Sequence, residues 1–368
     1  MSSSIILTNC LFCSIAILLL LPLLRLPSVL VSKRGIPIFI VIILASGKML
    51  LPYEFSFTYT LASKKILPTI REIEKFQLLK NVRVGNVFFC IWLSVASLLL
   101  LYITFRYWKL IRTLTIIPEI NNKEIAHIFS ELCEQKHIRN KPKVVQLNIK
   151  TGPFIVGLKE SIIVLPFYLS ENEVRFIFMH ELEHYKNRHN LIKLCLEIVA
   201  AIYWWNPIVW LLRKEIIRAL EIHADTNVMR GLTNKEGLSY LETLINISKK
   251  MQKNRNTNLA LSFVLKNNII EYRIRTALKY ECYQKGSKAS VYSVGLLILP
   301  ICLLLISFTY TFESYNISPL KVEGTFTVDP RTDYFILRED QLYDMYINGE
   351  YVVTIPNIPE DLLQLTVH

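Results

Sequence analysis

The stretch HELEH, residues 180–184, combines residue types whose spacing suits metal-dependent hydrolysis. His180 and His184 are four residues apart, about 40° from each other around an α-helix, so both imidazoles project towards one point. That geometry suits one tetrahedral zinc ion per chain. Glu181 lies close enough to a water at the metal to take its proton. Glu183 points away and is expected to be only solvated. The alternative is a charged amphipathic helix without a metal.

The residues before this motif predict where its helix begins. Ser170 and Glu173 have the spacing of a capping box, in which each side chain accepts a hydrogen bond from a free backbone N–H at the helix start. We therefore expect a helix from about Glu171, with the histidines well inside it.

A zinc site of this kind needs a third protein ligand, which the stretch RALEIHADTNVM can supply. Glu221 and Asp225 are four residues apart on a predicted helix from about residue 207 to about residue 229. Glu221 is the predicted ligand, and Asp225 is predicted to orient a ligand histidine. The alternative is a pair of acids on a solvated face. His223 and His189 lie off the ligand face, so we expect zinc to bind nearly normally when either is replaced by Ala.

HELEHYKNRH followed by ALEIHAD resembles the BlaR/MecR family of membrane-bound antirepressor zinc metallopeptidases, which are gluzincin-like. More distantly, the pair of motifs resembles the Ste-type CAAX prenyl proteases. PFIVGL and IIVLP before the first motif also resemble the BlaR/MecR family, and the resemblance covers about residues 85–312. The chain departs from the family at His189, where relatives commonly carry Asp.

The resemblance implies a function for several further segments. It implies that the substrate is a cytosolic repressor of the BlaI/MecI type, or the protein itself. It also implies that an edge strand beside the active helix holds the substrate in extended form. Residues 248–258 are implied as a self-cleavage region, although their composition indicates a mobile loop. Arg273 is implied to lie near the substrate, whereas the sequence alone favours a basic helix near the membrane.

The composition indicates a polytopic membrane protein. The 368 residues are 52% hydrophobic and 20% charged, with a mean hydropathy of +0.34, which is too apolar for an ordinary soluble protein. Predicted spans cover residues 5–24, 36–51, 87–105 and 289–312. The second is short and contains Lys48. The start of the chain has no basic residues before its apolar stretch, which favours an uncleaved anchor over a signal peptide.

These spans divide the chain into a membrane region (1–107), a cytoplasmic zinc metallopeptidase domain (108–288), a fourth span (289–312) and a small extracellular β-rich tail (313–368). The predicted fold class is an α-helical polytopic membrane protein with an inserted α+β zincin-like domain. Basic residues flank that domain on both sides, which places it in the cytoplasm; they are Arg106, Lys109, Arg112, Lys279, Lys285 and Lys288. The basic loop 52–85 conflicts with this orientation, because four spans place it outside.

Residues 191–212 are apolar enough to suggest another span, but one crossing would separate His184 from Glu221 by a membrane. We therefore predict a buried or re-entrant pair of helices with a turn at Asn206 and Pro207. Upstream, a helix from about residue 122 to about residue 133 is followed by three short strands, VVQLNI, PFIVGL and IIVLP.

The net charge of +12 is attributed to positive-inside bias and to contact with anionic membrane lipid rather than to direct nucleic-acid binding. The seven cysteines lie in predicted spans or on the cytoplasmic side, so no disulfide framework is expected. In the tail, VEGTFTV, YFILRE, LYDMYI and EYVVTI predict a small antiparallel sheet with turns at Asp329-Pro330 and Asn348-Gly349. Ser318 and Lys321 match Ser-x-x-Lys, but the tail is too short for a penicillin-binding fold, and we expect no reaction with β-lactams.

The sequence therefore predicts a zinc metalloendopeptidase of the bacterial cytoplasmic membrane that acts in signal transduction. Zinc is held by His180, His184 and Glu221, and Glu181 moves the proton. The alternatives are a membrane quality-control or CAAX-type protease, and a non-enzymatic receptor with a structural zinc. The oligomeric state stays open, with a homodimer as one option.

Overall fold

The computed structural model describes residues 3–26, 30, 36–50, 58–63, 66–79, 82–149, 152–253, 272–278, 295, 297–314, 333–338, 342–347, 349–358, 362 and 365–367. The chain divides into two compact units, Met1–Glu313 and Ser314–His368. Both metal-ligand motifs belong to the first unit, so the candidate metal centre lies within one compact body.

The first unit is mainly helical. Its helices are α1 (Ser3–Leu24), α2 (Ile36–Leu50), α3 (Ile66–Lys75), α4 (Val84–Ile116), α5 (Lys123–Gln135), α6 (Glu171–Lys186), α7 (His189–Ile202), α8 (Pro207–Arg230), α9 (Asn234–Lys253) and α10 (Ile298–Thr309). Residues 272–278 contain a further short helical segment. Its strands are β1 (Tyr59–Ser63), β2 (Gln77–Leu79), β3 (Val82–Arg83), β4 (Lys143–Leu147), β5 (Phe154–Val156), β6 (Ile162–Pro166) and β7 (Tyr310–Ser314).

Among the described residues, two helices are long and apolar enough to cross a membrane, and they are α1 and α4. Only 6% of the most apolar window of α4 is buried. So much exposed apolar surface is unfavourable in water but stable in hydrocarbon. The helices α2 and α10 are shorter. Helix α10 ends at Thr309 and the chain continues as strand β7, so the helix stops short of residue 312, where the predicted span ends.

A lysine in the apolar helix α2 is accommodated by contacts with α10. Lys48 is buried, its Nζ donates a hydrogen bond to the carbonyl of Ser307, and the same atom lies 3.9 Å from the centre of the Phe308 ring. A carbonyl and an aromatic face both attract a cation, so the lysine that weakened the prediction of this helix is compatible with it.

The apolar stretch 191–212 forms the helical hairpin predicted from the sequence. Helix α7 ends at Ile202, and α8 begins at Pro207 with the Asn206 side chain as its N-cap. The turn is held among other apolar helices: Asn206 Nδ2 donates to Ser14 Oγ of α1 at 2.8 Å, and Trp92 Nε1 of α4 donates to the Ile202 carbonyl at 2.9 Å. Buried polar groups in an apolar region need such partners, so these bonds fix the position of the turn.

A three-stranded sheet of order β4-β6-β5 precedes the first motif helix. Strand β4 runs parallel to β6, and β5 runs antiparallel to it. All five residues of β6 are buried, as expected for a central strand. The predicted IIVLP strand is β6 itself, whereas β4 and β5 are shorter than their predicted segments. Helix α5 begins at Lys123 with Asn122 as its N-cap, close to the predicted start at about residue 122, and it packs on α6.

The second unit contains β8 (Tyr334–Leu337), β9 (Tyr343–Ile347), β10 (Glu350–Ile355) and β11 (Thr366–Val367) in a sheet of order β10-β9-β8-β11. Strands β8, β9 and β10 pair antiparallel as predicted, but β11 pairs parallel to β8. Gly349 has φ +83°, which glycine adopts easily in the turn between β9 and β10. VEGTFTV, Asp329-Pro330, Ser318 and Lys321 lie outside the described residues.

Candidate metal centre

Helix α6 presents both histidines of the first motif to one point. It begins at Glu171 with a capping box, in which Ser170 N donates to Glu173 Oε2 at 2.8 Å. His180 and His184 are both buried, and their Nε2 atoms lie 3.1 Å apart. Two ring nitrogens at this separation face a common point, as the four-residue spacing predicts.

Helix α8 brings Glu221 to the same point. Its Oε2 lies 3.5 Å from His180 Nε2, and its Oε1 lies 3.6 Å from His184 Nε2. A tetrahedral zinc ion with bonds of about 2.0–2.1 Å has edges of about 3.3 Å between ligand atoms. The three observed separations are close to that value, and those to Glu221 involve both of its carboxylate oxygens. The His180–His184–Glu221 cluster can therefore hold one metal ion.

A network behind His180 fixes the direction of its ring. His180 Nδ1 lies 3.1 Å from both Asp225 Oδ1 and the Tyr240 hydroxyl, and that hydroxyl donates to Asp225 Oδ1 at 2.6 Å. Arg273 donates to both Asp225 oxygens, from Nε and from Nη2, at 2.7 Å each. Such a carboxylate partner holds a ligand histidine in the tautomer that leaves Nε2 free for a metal.

The charges in this cluster shift one another's protonation. Burial raises the pKa of Asp225, but the ion pair with Arg273 and the bond to His180 outweigh it and hold the pKa well below its usual range. Burial also raises the pKa of Glu221, but the neighbouring histidines and Arg273 lower it by more, so this pKa is well below its usual range. Burial lowers the pKa of His180, but its bonds to the two carboxylates raise it to about 9. The two acids are therefore anionic, as ligand and orienting group require.

His189 lies behind the second ligand. Its Nδ1 is 2.7 Å from His184 Nδ1, and the side chain is buried. Burial, helped by the nearby histidines, lowers the pKa of His189 to about 2, so the ring is neutral. The His189 ring centre lies 5.4 Å from that of His223. The sequence analysis placed His189 off the predicted ligand face and did not show that its side chain contacts His184.

The two glutamates between the histidines have different surroundings. Glu181 is buried and lines the cleft beside the cluster. Glu183 points away from it, as predicted, but the prediction that it is only solvated is wrong. It is buried, forms an ion pair with Lys136, and accepts hydrogen bonds from Asn187 and Asn227. Burial raises the pKa of Glu183, but the Lys136 pairing outweighs burial and lowers it.

A cleft of about 480 Å³ opens onto the ligand cluster. One wall is formed by Phe154 and Ile155 of β5. Helix α9 also lines the cleft, with Tyr240, Thr243, Leu244, Ile247, Ser248 and Met251. Lys193 of α7 also lines the cleft and donates to Glu221 Oε1 at 3.3 Å. The sheet order leaves one side of β5 unpaired with any described strand, so β5 is the edge strand at the site.

The helical fold and the His-Glu-x-x-His and Glu221 cluster together define a metallopeptidase-like centre. The family described as “BlaR1 peptidase M56” matches residues 46–277, more than half of the chain, and the chain belongs to that family.

Three relatives illustrate the similarity. The regulatory protein BlaR1 of Bacillus licheniformis is 29% identical over 222 residues, which are 59% of this chain and 36% of that protein. The methicillin resistance mecR1 protein of Staphylococcus aureus is 24% identical over 185 residues, which are 45% of this chain and 32% of that protein. The regulatory protein BlaR1 of Staphylococcus aureus is 21% identical over 272 residues, 71% and 44% respectively. The chain therefore spans less than half the length of these relatives.

Two residues of the centre were not predicted from the residues alone. Tyr240 lies on the cleft side of α9, and no local pattern separates it from an ordinary core aromatic. Arg273 was favoured as a membrane-proximal base, but its side chain is 14% exposed and pairs with Glu221 and Asp225. Only the resemblance to the family implied that Arg273 lies near the substrate.

Proposed function

We propose that this chain is a membrane-bound zinc metalloendopeptidase in signal transduction. The observation that carries the proposal is the convergence of two imidazole nitrogens and a carboxylate at separations that fit one zinc ion, beside a cleft that Glu181 lines. The family and the two long apolar helices support a membrane location. The proposal assigns His180, His184 and Glu221 as ligands and Asp225 as the group that orients His180.

Zinc, when bound, polarises a peptide carbonyl and lowers the pKa of a bound water towards about 7. The remaining steps belong to side chains of the chain. Glu181 takes the proton of the attacking water and passes it to the departing amine, which balances the hydrolysis of one peptide bond. Asp225 and Tyr240 hold His180 in place throughout, so the ligand geometry does not need to reorganise during the reaction.

The cleft supports an extended peptide as substrate. A peptide that paired with the free side of β5 would add a strand to the sheet and present its backbone carbonyl towards the ligand cluster. The apolar side chains of β5 and α9 would receive substrate side chains by apolar contact. We infer that the substrate is unfolded or loop-like where it is cut, because a helix cannot pair with a strand edge.

The proposed substrate is a cytosolic repressor of the BlaI/MecI type, or the chain itself. Two similar relatives are regulatory proteins by name, and another is a methicillin resistance protein, which supports a regulatory role here. The proposal keeps the catalytic block, residues 108–288, in the cytoplasm, the tail, residues 313–368, outside, and four spans in all. Basic residues on both sides of the catalytic block support that orientation.

A structural zinc in a non-enzymatic receptor is disfavoured by the ligand count. Structural sites are closed by four protein ligands, whereas catalytic sites keep a position for water or substrate. Within the part of the chain that the structure describes, the cluster has three members. Three ligands beside an open cleft favour an enzyme.

Replacing Glu181 by Gln tests this proposal. The change keeps the size of the side chain and one accepting oxygen but removes the base, so we expect zinc content to stay at the parental level while cleavage falls by about 10²- to 10⁴-fold. The full chain is reconstituted with a candidate repressor, and both the repressor and the chain itself are analysed for new fragments by mass spectrometry. Zinc content is measured on the same samples.

The matched control is Glu242→Gln, which changes an exposed glutamate on α9. It should retain both zinc and cleavage. Cleavage by Glu181→Gln at the parental rate would contradict the proposed role of Glu181 in hydrolysis. Absence of zinc from the unmodified chain would contradict the proposed metal centre.

A further inference from the structure

Arg273 contacts Asp225, Glu221 and His180 of the candidate metal centre. It donates to both oxygens of Asp225 at 2.7 Å, its Nη1 lies 3.4 Å from Glu221 Oε2, and its Nη2 lies 3.5 Å from His180 Nε2. Its pKa is raised well above the usual range because, although burial lowers it, the carboxylates raise it more. One guanidinium therefore contacts two predicted ligands, Glu221 and His180, and also Asp225, the carboxylate predicted to orient His180.

The bidentate contact determines which way Asp225 faces. Asp225 Oδ1 receives the Tyr240 hydroxyl and lies 3.1 Å from His180 Nδ1. Oδ2 receives Nε of Arg273. A planar guanidinium that holds both oxygens fixes the plane of the carboxylate, which a single hydrogen bond to one oxygen does not. Without it, Asp225 would keep only its contacts at Oδ1 with Tyr240 and His180, and its carboxylate plane would no longer be fixed.

The segment that carries Arg273 is fastened to the end of α1. The Tyr272 hydroxyl donates to the Arg25 carbonyl at 2.6 Å, and the Arg218 guanidinium of α8 lies 4.7 Å from the Tyr272 ring centre. Arg25 and Arg218 both pair with the buried Glu215 of α8, at 2.8 and 2.6 Å. At the other end of the segment, Ala277 packs in a cluster with residues of α8 and α9.

We propose that Arg273 is a positioning residue of the metal centre, held in place by the Tyr272 contact with the end of α1. The inference rests on the proposed zinc site and adds a dependence to it: the geometry around His180 follows the contact between segment 272–278 and α1. A displacement of α1 from that segment would release Arg273 and loosen the ligand set. The contact thus links a membrane-length helix to the centre through Tyr272 and Arg273.

The first test changes Arg273 in the full chain in detergent. Arg273→Met should lower zinc affinity by about 10- to 100-fold, the range for partners that orient ligands. It should also change the visible absorption of the Co²⁺-loaded chain, because that spectrum reports ligand geometry. Arg273→Lys keeps the charge but cannot hold both oxygens in one plane, so it should recover only part of the loss. Arg275→Met, an exposed arginine of the same segment, is the control and should match the parent.

The second test separates the anchor from the guanidinium. Tyr272→Phe removes the hydroxyl but keeps the ring over Arg218, so it should lower zinc affinity by about 3- to 10-fold, within the range for one net hydrogen bond. Because it is proposed to act through Arg273, it should have no further effect in the Arg273→Met background. Zinc affinity is measured by chelator competition, so peptidase activity is not needed for either test.

Each outcome has one meaning. Parental zinc affinity and an unchanged cobalt spectrum in Arg273→Met would overturn the positioning role. A lower melting temperature with an unchanged spectrum would show a structural role only, which also overturns it. Additive effects of the two changes would overturn the anchor. If Arg273→Met does not fold, Arg273→Lys and Tyr272→Phe decide the question, and a parent without zinc would contradict the proposed function instead.

Discussion

Replacing His189 by Ala tests how much the support behind a metal ligand contributes to the site. His184 directs Nε2 towards His180 and Glu221, so with a metal on Nε2 its proton would reside on Nδ1. That N–H would donate to His189 Nδ1, which lies 2.7 Å away, and His189 would then carry its own proton on Nε2. The alanine variant would leave the buried N–H of His184 without this acceptor.

The size of the effect follows from that lost bond. A buried donor left without a partner costs about 1–3 kcal/mol, and about 1.4 kcal/mol corresponds to tenfold in an equilibrium constant. We therefore expect His189→Ala to weaken zinc binding by about 5- to 150-fold. This revises the sequence-based expectation of nearly normal binding, because the sequence did not show that His189 touches His184.

The assay is zinc affinity of the full chain by chelator competition at neutral pH. His189→Asn and His189→Asp offer an oxygen acceptor and should recover part of the affinity, whereas His223→Ala, which changes the ring beyond His189, should bind like the parent. An affinity of His189→Ala within about twofold of the parent would refute the reasoning, since the cost of an unpaired buried N–H exceeds that difference.

Two further predictions concern the ligand set and the tail. Glu221→Ala should lose zinc together with cleavage. Full zinc content in this variant, measured by elemental analysis, would exclude Glu221 as the third ligand. Asp225→Ala should retain zinc with about 10- to 100-fold lower affinity, because Asp225 supports His180 without binding the metal. No β-lactam should acylate the chain, and labelling by a fluorescent penicillin that disappears in Ser318→Ala would contradict this.

The sequence predicted the parts of the site that depend on local spacing. The four-residue separation of His180 and His184 and the capping box before them determine helix α6 and one face of it, because a helix converts spacing into direction. The hairpin turn at Asn206 was predictable for a different reason. Two ligand motifs that share one ion must lie on the same side of any membrane, and this excludes a single crossing between them.

The sequence could not predict contacts made by burial between distant elements. Glu183 was predicted to be solvated because its partner Lys136 is the C-cap residue of α5, and nothing in HELEH indicates that helix as a neighbour. Arg273 is far along the chain from Asp225, so only the folded structure shows the bidentate pair. Hydropathy does not distinguish the apolar end of helix α10 from the strand β7 that follows, so the sequence could not show where the helix ends.

Helix α8 is continuous from Pro207 to Arg230, and this continuity restricts insertions and deletions within it. Asn206 at its start is tied to α1, and Glu221 further along meets the metal site. Inserting one residue between them would rotate Glu221 by about 100° and advance it by about 1.5 Å, whereas a substitution leaves its direction unchanged. We expect homologous sequences to preserve the length of this stretch even where residue types differ, so alignment gaps should fall elsewhere.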